Sequence, residues 1–475
     1  MDEQNQFDNP QPNPPRRRRK RSKWQNFKEA YLPIIIIGIA GLMILIFIFG
    51  AISRNLSSKD DANGTESSAD QATLEQQEAE TLMAQAAELA AVYDYQGAIA
   101  ALNSFSGDMT TIEGMVEKYN EYSEAFAALV PYTNMEYVTN LSVNMLIADL
   151  DRALADSDYG DRLNRNYITT GEFTAILESL YEKGYMLISM SDVATKTVDA
   201  DGNVTLTAGK LYLPEGKKPL LLTQTGANYN TYLVDGDGDG LADKDGSGFA
   251  SRLILDENGE LTCEMVDSAG NTVTGAFDLI PILNDFIEKH PDFSYRGAKA
   301  IIAVTGYDGL FGYRTDPETA TLLGEEYYQQ QLSAVTAIID AVRADGYEIA
   351  CYTYDLANYG EMDLSEIQAD LKLWSDEVTP LLGSVDILVY PNGSDIAGTN
   401  PQYSSITYDY LKSFGFTYFI GQDSATSAWG QLTESYLRQT SRRLAGNLLY
   451  YSYSYYTDLF DGQAVLDPAR GEIPY

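Results

Sequence analysis

Residues 219–230 read P-L-L-L-T-Q-T-G-A-N-Y-N, and the reading of this stretch decides the fold. Pro219, Leu220, Leu221 and Leu222 predict a short buried strand, and the turn to Thr225, Gly226 and Asn228 stops it abruptly. Strand ends of this kind form the rim at which an α/β protein meets its ligand. None of those three rim residues is ionisable.

Outward from this strand, the chain alternates between strand and helix. Strands are predicted at 137–148, 186–189, 220–223, 300–305, 348–352, 387–390 and 417–420, and amphipathic helices at 171–183, 277–288, 325–344, 364–381 and 405–413. Repeated βα units predict an α/β fold with a parallel sheet or a (β/α) barrel. A β-rich insertion at 252–274 interrupts the alternation, with turns at Asn258-Gly259 and Gly270-Asn271.

Before the barrel, residues 72–130 carry a helical pattern. Leu82, Ala86, Leu89 and Ala90 share one face, and Ala98, Ile99, Leu102 and Phe105 another. The piece Y-D-Y-Q-G-A-I-A-A-L at 93–102 resembles half of a tetratricopeptide repeat. A single copy predicts only a helical hairpin or stalk, a surface for self-association. Residues 53–71 are a polar linker. Residues 32–52 give 21 positions without a charge, a length that spans about 30 Å of hydrocarbon. Arg16 to Lys23 precede this span as its cytoplasmic flank. A signal peptide is the rival reading, but its apolar region would be only about 7 to 15 residues. The expectation is a plasma-membrane protein with one span, a cytoplasmic tail at 1–31 and an extracellular domain at 131–475.

Composition excludes several function classes. With 69 acidic and 32 basic residues the chain carries −37, and the tail alone is +4, so the remainder carries −41. Nucleic acid is not an expected partner for such a surface. Two cysteines, Cys263 and Cys351, form no C-x-x-C pair, and one bridge between them is left open. His290 is the only histidine, which leaves no His-based zinc site.

The pieces at 168–185 (I-T-T-G-E-F-T-A-I-L-E-S-L-Y-E-K-G-Y), 213–222 (L-P-E-G-K-K-P-L-L-L) and 290–299 (H-P-D-F-S-Y-R-G-A-K) resemble the polysaccharide deacetylase, or NodB-type, family. So do 304–315 (V-T-G-Y-D-G-L-F-G-Y-R-T), 388–395 (L-V-Y-P-N-G-S-D) and 421–424 (G-Q-D-S), and the likeness points to a Gram-positive branch. The resemblance implies a distorted (β/α) barrel over 131–475 and, in active members, metal-dependent removal of acetyl groups from surface glycans. Those members present two aspartates at a strand end and two histidines on a following segment. At the matching places this chain has Thr225 and Gly226, then Tyr352 and Leu356. The implied protein is deacetylase-like without its metal residues, binding cell-envelope glycan or a partner. One alternative is an active deacetylase or esterase using Tyr352, Asp355, Asp386 or Asp423 with a carboxylate-bound metal. Another is a structural envelope scaffold. Glycan contacts implied by the family's rim elements are Asn228, Tyr229, Tyr313, Arg314, Asn392, Asp423 and Arg438.

A separate constellation lies inside the insertion at 231–275. The run D-G-D-G-D-G-L-A-D-K-D-G at 235–246 puts Asp235, Asp237, Asp239 and Asp243 at loop positions 1, 3, 5 and 9, with the Leu241 carbonyl at 7. This spacing predicts a calcium loop of the D-x-D-x-D-G class, although Gly246 stands where a bidentate Glu is usual. The tyrosine-rich run at 450–456 adds aromatic faces that pack or meet sugar.

Overall fold

The computed structural model describes residues 68–398, 400–422 and 428–473. Nearly all of the described residues belong to one compact unit, Leu74–Tyr475. The expected span at 32–52 lies outside the described residues, and no helix among the described residues is long and apolar enough to cross a membrane.

Among the described residues nine strands build the main sheet: β1 (Thr139–Val143), β2 (Tyr185–Leu187), β3 (Lys218–Thr225), β4 (Ile301–Val304), β5 (Glu348–Cys351), β6 (Ile387–Val389), β7 (Tyr418–Gln422), β8 (Leu437–Leu444) and the short Gly430–Leu432, which pairs antiparallel with the start of β8. Pairing runs β4-β5-β6-β7-β8-β1-β3, all parallel, and β3 returns to β4 through Thr223 opposite Ile301, so seven strands close a barrel. β2 joins the sheet through the first residues of β3, beside the point of closure, and its Leu187 also bridges to Ser294. The predicted (β/α) barrel is therefore present. Leu220 and Leu222 point outward into the helix layer, and Leu221 inward among Ile301, Ala303, Ile387 and Ile420. All three are at most 2% exposed, each worth roughly 1.5–3 kcal/mol of burial.

Helices α4 (Thr170–Glu182), α5 (Leu279–Lys289), α6 (Glu325–Ala344), α7 (Leu364–Leu373) and α8 (Ile406–Phe414) belong to the barrel, after α1 (Ser68–Ala91), α2 (Tyr95–Asn103) and α3 (Met115–Ala127). α4 starts in a capping box between Thr169 and Glu172. Glu172 also pairs with Arg470 at 2.6 Å, both fully buried, which ties the C-terminal segment to this helix. The helix expected over 364–381 runs without a break from Leu364 to Leu382: α7 passes into a wider π turn at Trp374–Val378 and a last α turn at Thr379–Leu382, the widening lying just before Pro380, which has no N–H for a regular i to i−4 bond. The antiparallel insertion is as predicted, at Arg252–Leu255, Leu261–Val266 and Thr272–Gly275. The tyrosine run forms short helices at Gly446–Tyr451 and Tyr453–Tyr456. Both cysteines are buried and free.

α1 to α3 enclose a small core of Ala79, Ala86, Ala98, Leu102 and Met115. The α1–α2 turn docks on the barrel: the Arg296 N–H donates to the Val92 carbonyl at 2.7 Å, and Arg296 pairs with Asp94 at 3.5 Å.

β8 was not expected from the sequence. Its residues L-R-Q-T-S-R-R-L show no apolar alternation, because both faces are polar. Arg438 and Arg442 face outward and are 2% and 1% exposed, paired with Asp395 at 2.8 Å and Asp458 at 2.7 Å.

Candidate ligand site at the barrel mouth

Inward-facing residues at the C-terminal strand ends line a cavity of about 440 Å³. This volume lies in the usual range for small-molecule sites, and this end of a parallel barrel is where such sites form. Ser142 is the last but one residue of β1, Thr225 closes β3, Tyr352 follows β5, Gln422 closes β7, and Ser441 and Arg443 come from β8. The register brings them together, since Arg443 stands opposite Ser142 and Ser441 opposite Gln422.

Hydroxyls and amides form the floor. Gln422 Nε2 donates to Ser142 Oγ at 3.1 Å, and Ser441 Oγ donates to the Gly421 carbonyl at 2.9 Å. Higher up, the Thr225 hydroxyl donates to Asn144 Oδ1 at 2.7 Å. Asn144 Nδ2 and Arg443 Nη2 both donate to the Asn166 carbonyl, at 3.3 and 3.2 Å. Thr225 thus anchors a neutral network reaching Arg443. Burial raises the pKa of the half-buried Tyr352 hydroxyl, while a hydrogen bond with Thr225 and the Arg443 charge oppose the rise. The phenol stays protonated at neutral pH.

Gly226 has φ +68°, and its N–H donates to the Ala303 carbonyl at 2.9 Å. A Cβ there would meet nothing within 4 Å, so the glycine serves the left-handed turn rather than a tight contact. Leu356 also lines the cavity, with φ +51° and 43% of its surface exposed. Asn392 is a third lining residue in this region, with φ +53°. Left-handed non-glycine residues concentrate at functional sites more than elsewhere.

The four residues matched to the family's metal set therefore do meet at one mouth: Thr225, Gly226, Tyr352 and Leu356 all line the cavity. They do not fit a zinc ion. Among the described residues the lining contains no Asp, Glu or His, and its only charges are Arg162 and Arg443. Hydroxyl and amide oxygens are weak zinc donors, and a nearby guanidinium opposes a divalent cation. His290 follows α5 and stacks on Tyr181 and Phe286, with ring centroids 4.4 and 4.8 Å away. Its neighbour Asp292 pairs with Lys217, just before β3 begins, so His290 sits by the opposite end of a strand roughly 23 Å long. Asp386 also lies at that end, before β6, paired with Lys196. Asp355 is exposed and does not line the cavity.

The expected glycan contacts divide by burial. Asn392 lines the cavity and is exposed, with Nδ2 donating to Asn358 Oδ1 at 3.1 Å. Asn228 lines it too, but is 0% exposed. Its Nδ2 donates to the Thr305 and Gly309 carbonyls, and its Oδ1 accepts the Thr305 N–H at 3.0 Å. Tyr229, Tyr313, Arg314 and Arg438 have no substantial face open to a ligand, at 0, 7, 6 and 2% exposure. Arg314 donates to the Asp308 and Tyr229 carbonyls at 3.0 Å each, and Arg438 pairs with Asp395 between the Tyr403 and Trp429 rings. These four hold the rim from behind. Asp423 lies outside the described residues.

Arg162, Arg443, Asn144 and Asn166 are site residues that sequence reasoning missed. A signal was present for one of them, since three arginines within 438–443 stand out in so acidic a chain. Nothing local distinguishes Arg443, which faces the cavity, from Arg442, which faces the helices.

In the acidic loop, one carboxylate oxygen from each of Asp235, Asp237 and Asp239 lies within 4.8 Å of the others. These side chains also accept backbone N–H groups of the loop: Asp235 those of Asp237, Gly238 and Gly240, and Asp239 that of Leu241. Asp243 accepts from Gly236 and Asp237, both at 3.2 Å.

No family model matches the sequence, and no curated protein matches it. Solved structures do resemble it. One is a Streptococcus pyogenes deacetylase in complex with acetate, 11% identical, covering 67% of this chain and 95% of that one at a TM-score of 0.34. Another is a polysaccharide deacetylase from Bacillus cereus, 10% identical, covering 69% of each chain at 0.34. At these identities and scores the likeness bears on no residue of the cavity.

Proposed function

We propose that this chain is a membrane-anchored envelope protein whose deacetylase-like barrel binds cell-surface glycan at its mouth and does not remove acetyl groups. One observation carries the reading: the cavity that a deacetylase would fill with metal ligands is lined by Thr225, Gly226, Asn144 and Tyr352, with no carboxylate or imidazole among the described residues. Deacetylation needs a water activated by a base or a metal, and hydroxyls held neutral at physiological pH supply neither. The same hydroxyls and amides, with the rings of Tyr167 and Tyr232 beside them, are groups that pair with sugar hydroxyls and stack on sugar faces. The span at 32–52 would hold the domain at the membrane, and calcium at Asp235, Asp237, Asp239, Leu241 and Asp243 would brace the insertion.

The test pairs two measurements on the full-length protein. Acetate release from acetylated peptidoglycan is expected to stay at background with zinc, manganese or cobalt added, while the protein is retained on cell-wall glycan. Turnover that disappears on chelation would overturn the reading.

A further inference from the structure

We propose that the group by which the glycan is anchored is an anion, a carboxylate carried on the saccharide, seated on Arg443 inside the mouth with Arg162 at the entrance. This assignment rests on the glycan-binding reading above.

The argument starts from the charge balance of the chain. Acidic residues outnumber basic ones 69 to 32, and buried arginines of the barrel strand β8 and of the C-terminal segment spend their charge on carboxylates. Arg438 faces Asp395, Arg442 faces Asp458, and Arg470 faces Glu172. Arg443 is adjacent in sequence to Arg442 but points the other way, into the cavity, and no carboxylate meets it among the described residues. A guanidinium has five N–H donors. Arg443 uses one on the Asn166 carbonyl at 3.2 Å. Holding a half-buried cation without a counter-charge is unfavourable, and a ligand anion removes the penalty.

The second cation is prepared in a different way. Arg162 is exposed, and its guanidinium lies over the rings of Tyr159 and Tyr232, 4.7 and 5.3 Å from their centroids. Tyr232 is joined to Tyr167 through their hydroxyls at 3.3 Å. Ring stacking orders the planar fork in advance, so less side-chain freedom is lost when an anion arrives. The lining is therefore cationic within a protein of net charge −37, whose overall field repels anions. Retention of an anion by this protein must come from local contacts. A planar carboxylate matches the arginine fork in a bidentate pair, and a single inner cation balances a monoanion. The neutral amides and hydroxyls around it suit the remaining sugar hydroxyls.

Titration calorimetry on the full-length protein in detergent tests this with three probes: a digalacturonate, the same disaccharide with its carboxyl groups reduced to alcohols, and glycerol phosphate. The acidic sugar is expected to bind at least tenfold more tightly than the reduced one. Arg443→Gln should remove most of the advantage of the acid over the neutral sugar, so that the ratio of the two affinities falls toward one. Arg443→Lys should recover part of the difference, and Arg162→Gln should cost less than Arg443→Gln. If Arg443→Gln does not fold, the comparison of acid with neutral sugar on the unaltered protein still decides. Equal affinity for the two sugars would overturn the anion assignment and leave the glycan reading in place. Tighter binding of glycerol phosphate than of digalacturonate would overturn the choice of carboxylate. Binding of neither sugar would overturn both readings.

Discussion

Replacing Asn228 separates a residue that touches ligand from one that positions the rim. Its side chain is fully buried and joins the turn after β3 to the loop after β4. It accepts the Thr305 N–H at 3.0 Å and donates to the Thr305 carbonyl at 2.9 Å and to the Gly309 carbonyl. Asn228→Ala leaves one backbone donor and two acceptors short of a partner. Each buried group left unsatisfied costs about 1–3 kcal/mol, and carbonyls retain a second lone pair, so a total of about 2–5 kcal/mol is expected. For a cooperative unit of about 400 residues, 1 kcal/mol moves the melting temperature by about 1.2 °C, so the expected fall is about 2–6 °C. Asn228→Asp should behave similarly, because a carboxylate keeps the contact with the Thr305 N–H and turns the other two into repulsions. Thermal unfolding followed by circular dichroism measures the shift. Ligand affinity is read alongside it, well below the melting temperature. A melting temperature within 1 °C of the unaltered protein, together with lost glycan affinity, would refute the positioning role and restore Asn228 as a direct contact.

Two further perturbations address other parts of the molecule. At the N-terminal end of β5, Glu348 accepts the Met190 N–H at 2.8 Å; burial first, then Asp192 and Asp386, push its carboxyl up to about 7. The folded state therefore holds the proton more tightly than the unfolded chain. The stability it contributes is complete below about pH 4.5 and is lost as pH rises through about 7. Glu348→Gln is expected to be the more stable protein at pH 8 by about 1–3 kcal/mol and to flatten the pH 5–8 stability profile, and denaturant midpoints at several pH values would expose the absence of such flattening. In the acidic loop, about 2 mM calcium is expected to add roughly 1–2 kcal/mol if the site binds as weak extracellular loops do. Replacing Asp237 and Asp239 together by Asn should abolish that gain, and a melting temperature unmoved by calcium in the unaltered protein would remove the ion.

The architecture was legible because it rests on local pattern. Leu220 to Leu222 mark a buried strand, Thr169 and Glu172 mark a helix start, and Gly259 and Gly270 mark turns, since each property depends on residues close in the chain. β8 was not legible. Its inward residues Gln439, Ser441 and Arg443 meet a polar floor, and its outward Arg438 and Arg442 meet carboxylates at 395 and 458, so hydrophobic period fails on both faces. For the same reason the rim candidates divided only once burial was known. Tyr313 and Asn392 look alike as polar loop residues, and one is 7% exposed while the other is open to the cavity.

By itself the sequence determined that this chain has one histidine, a strongly acidic body and a strand ending in Thr225 and Gly226, and those facts exclude a His-based metal site wherever the strand lies. They are statements about which groups exist. Tertiary structure decided which groups meet. Closing β3 against β1 and β4, and β1 against β8, sets Thr225 and Arg443 at one mouth, 218 positions apart in the chain, and sends Arg442 to the other face. The charge of the cavity follows from the two-residue period of a strand and the register of its neighbours, neither of which composition records.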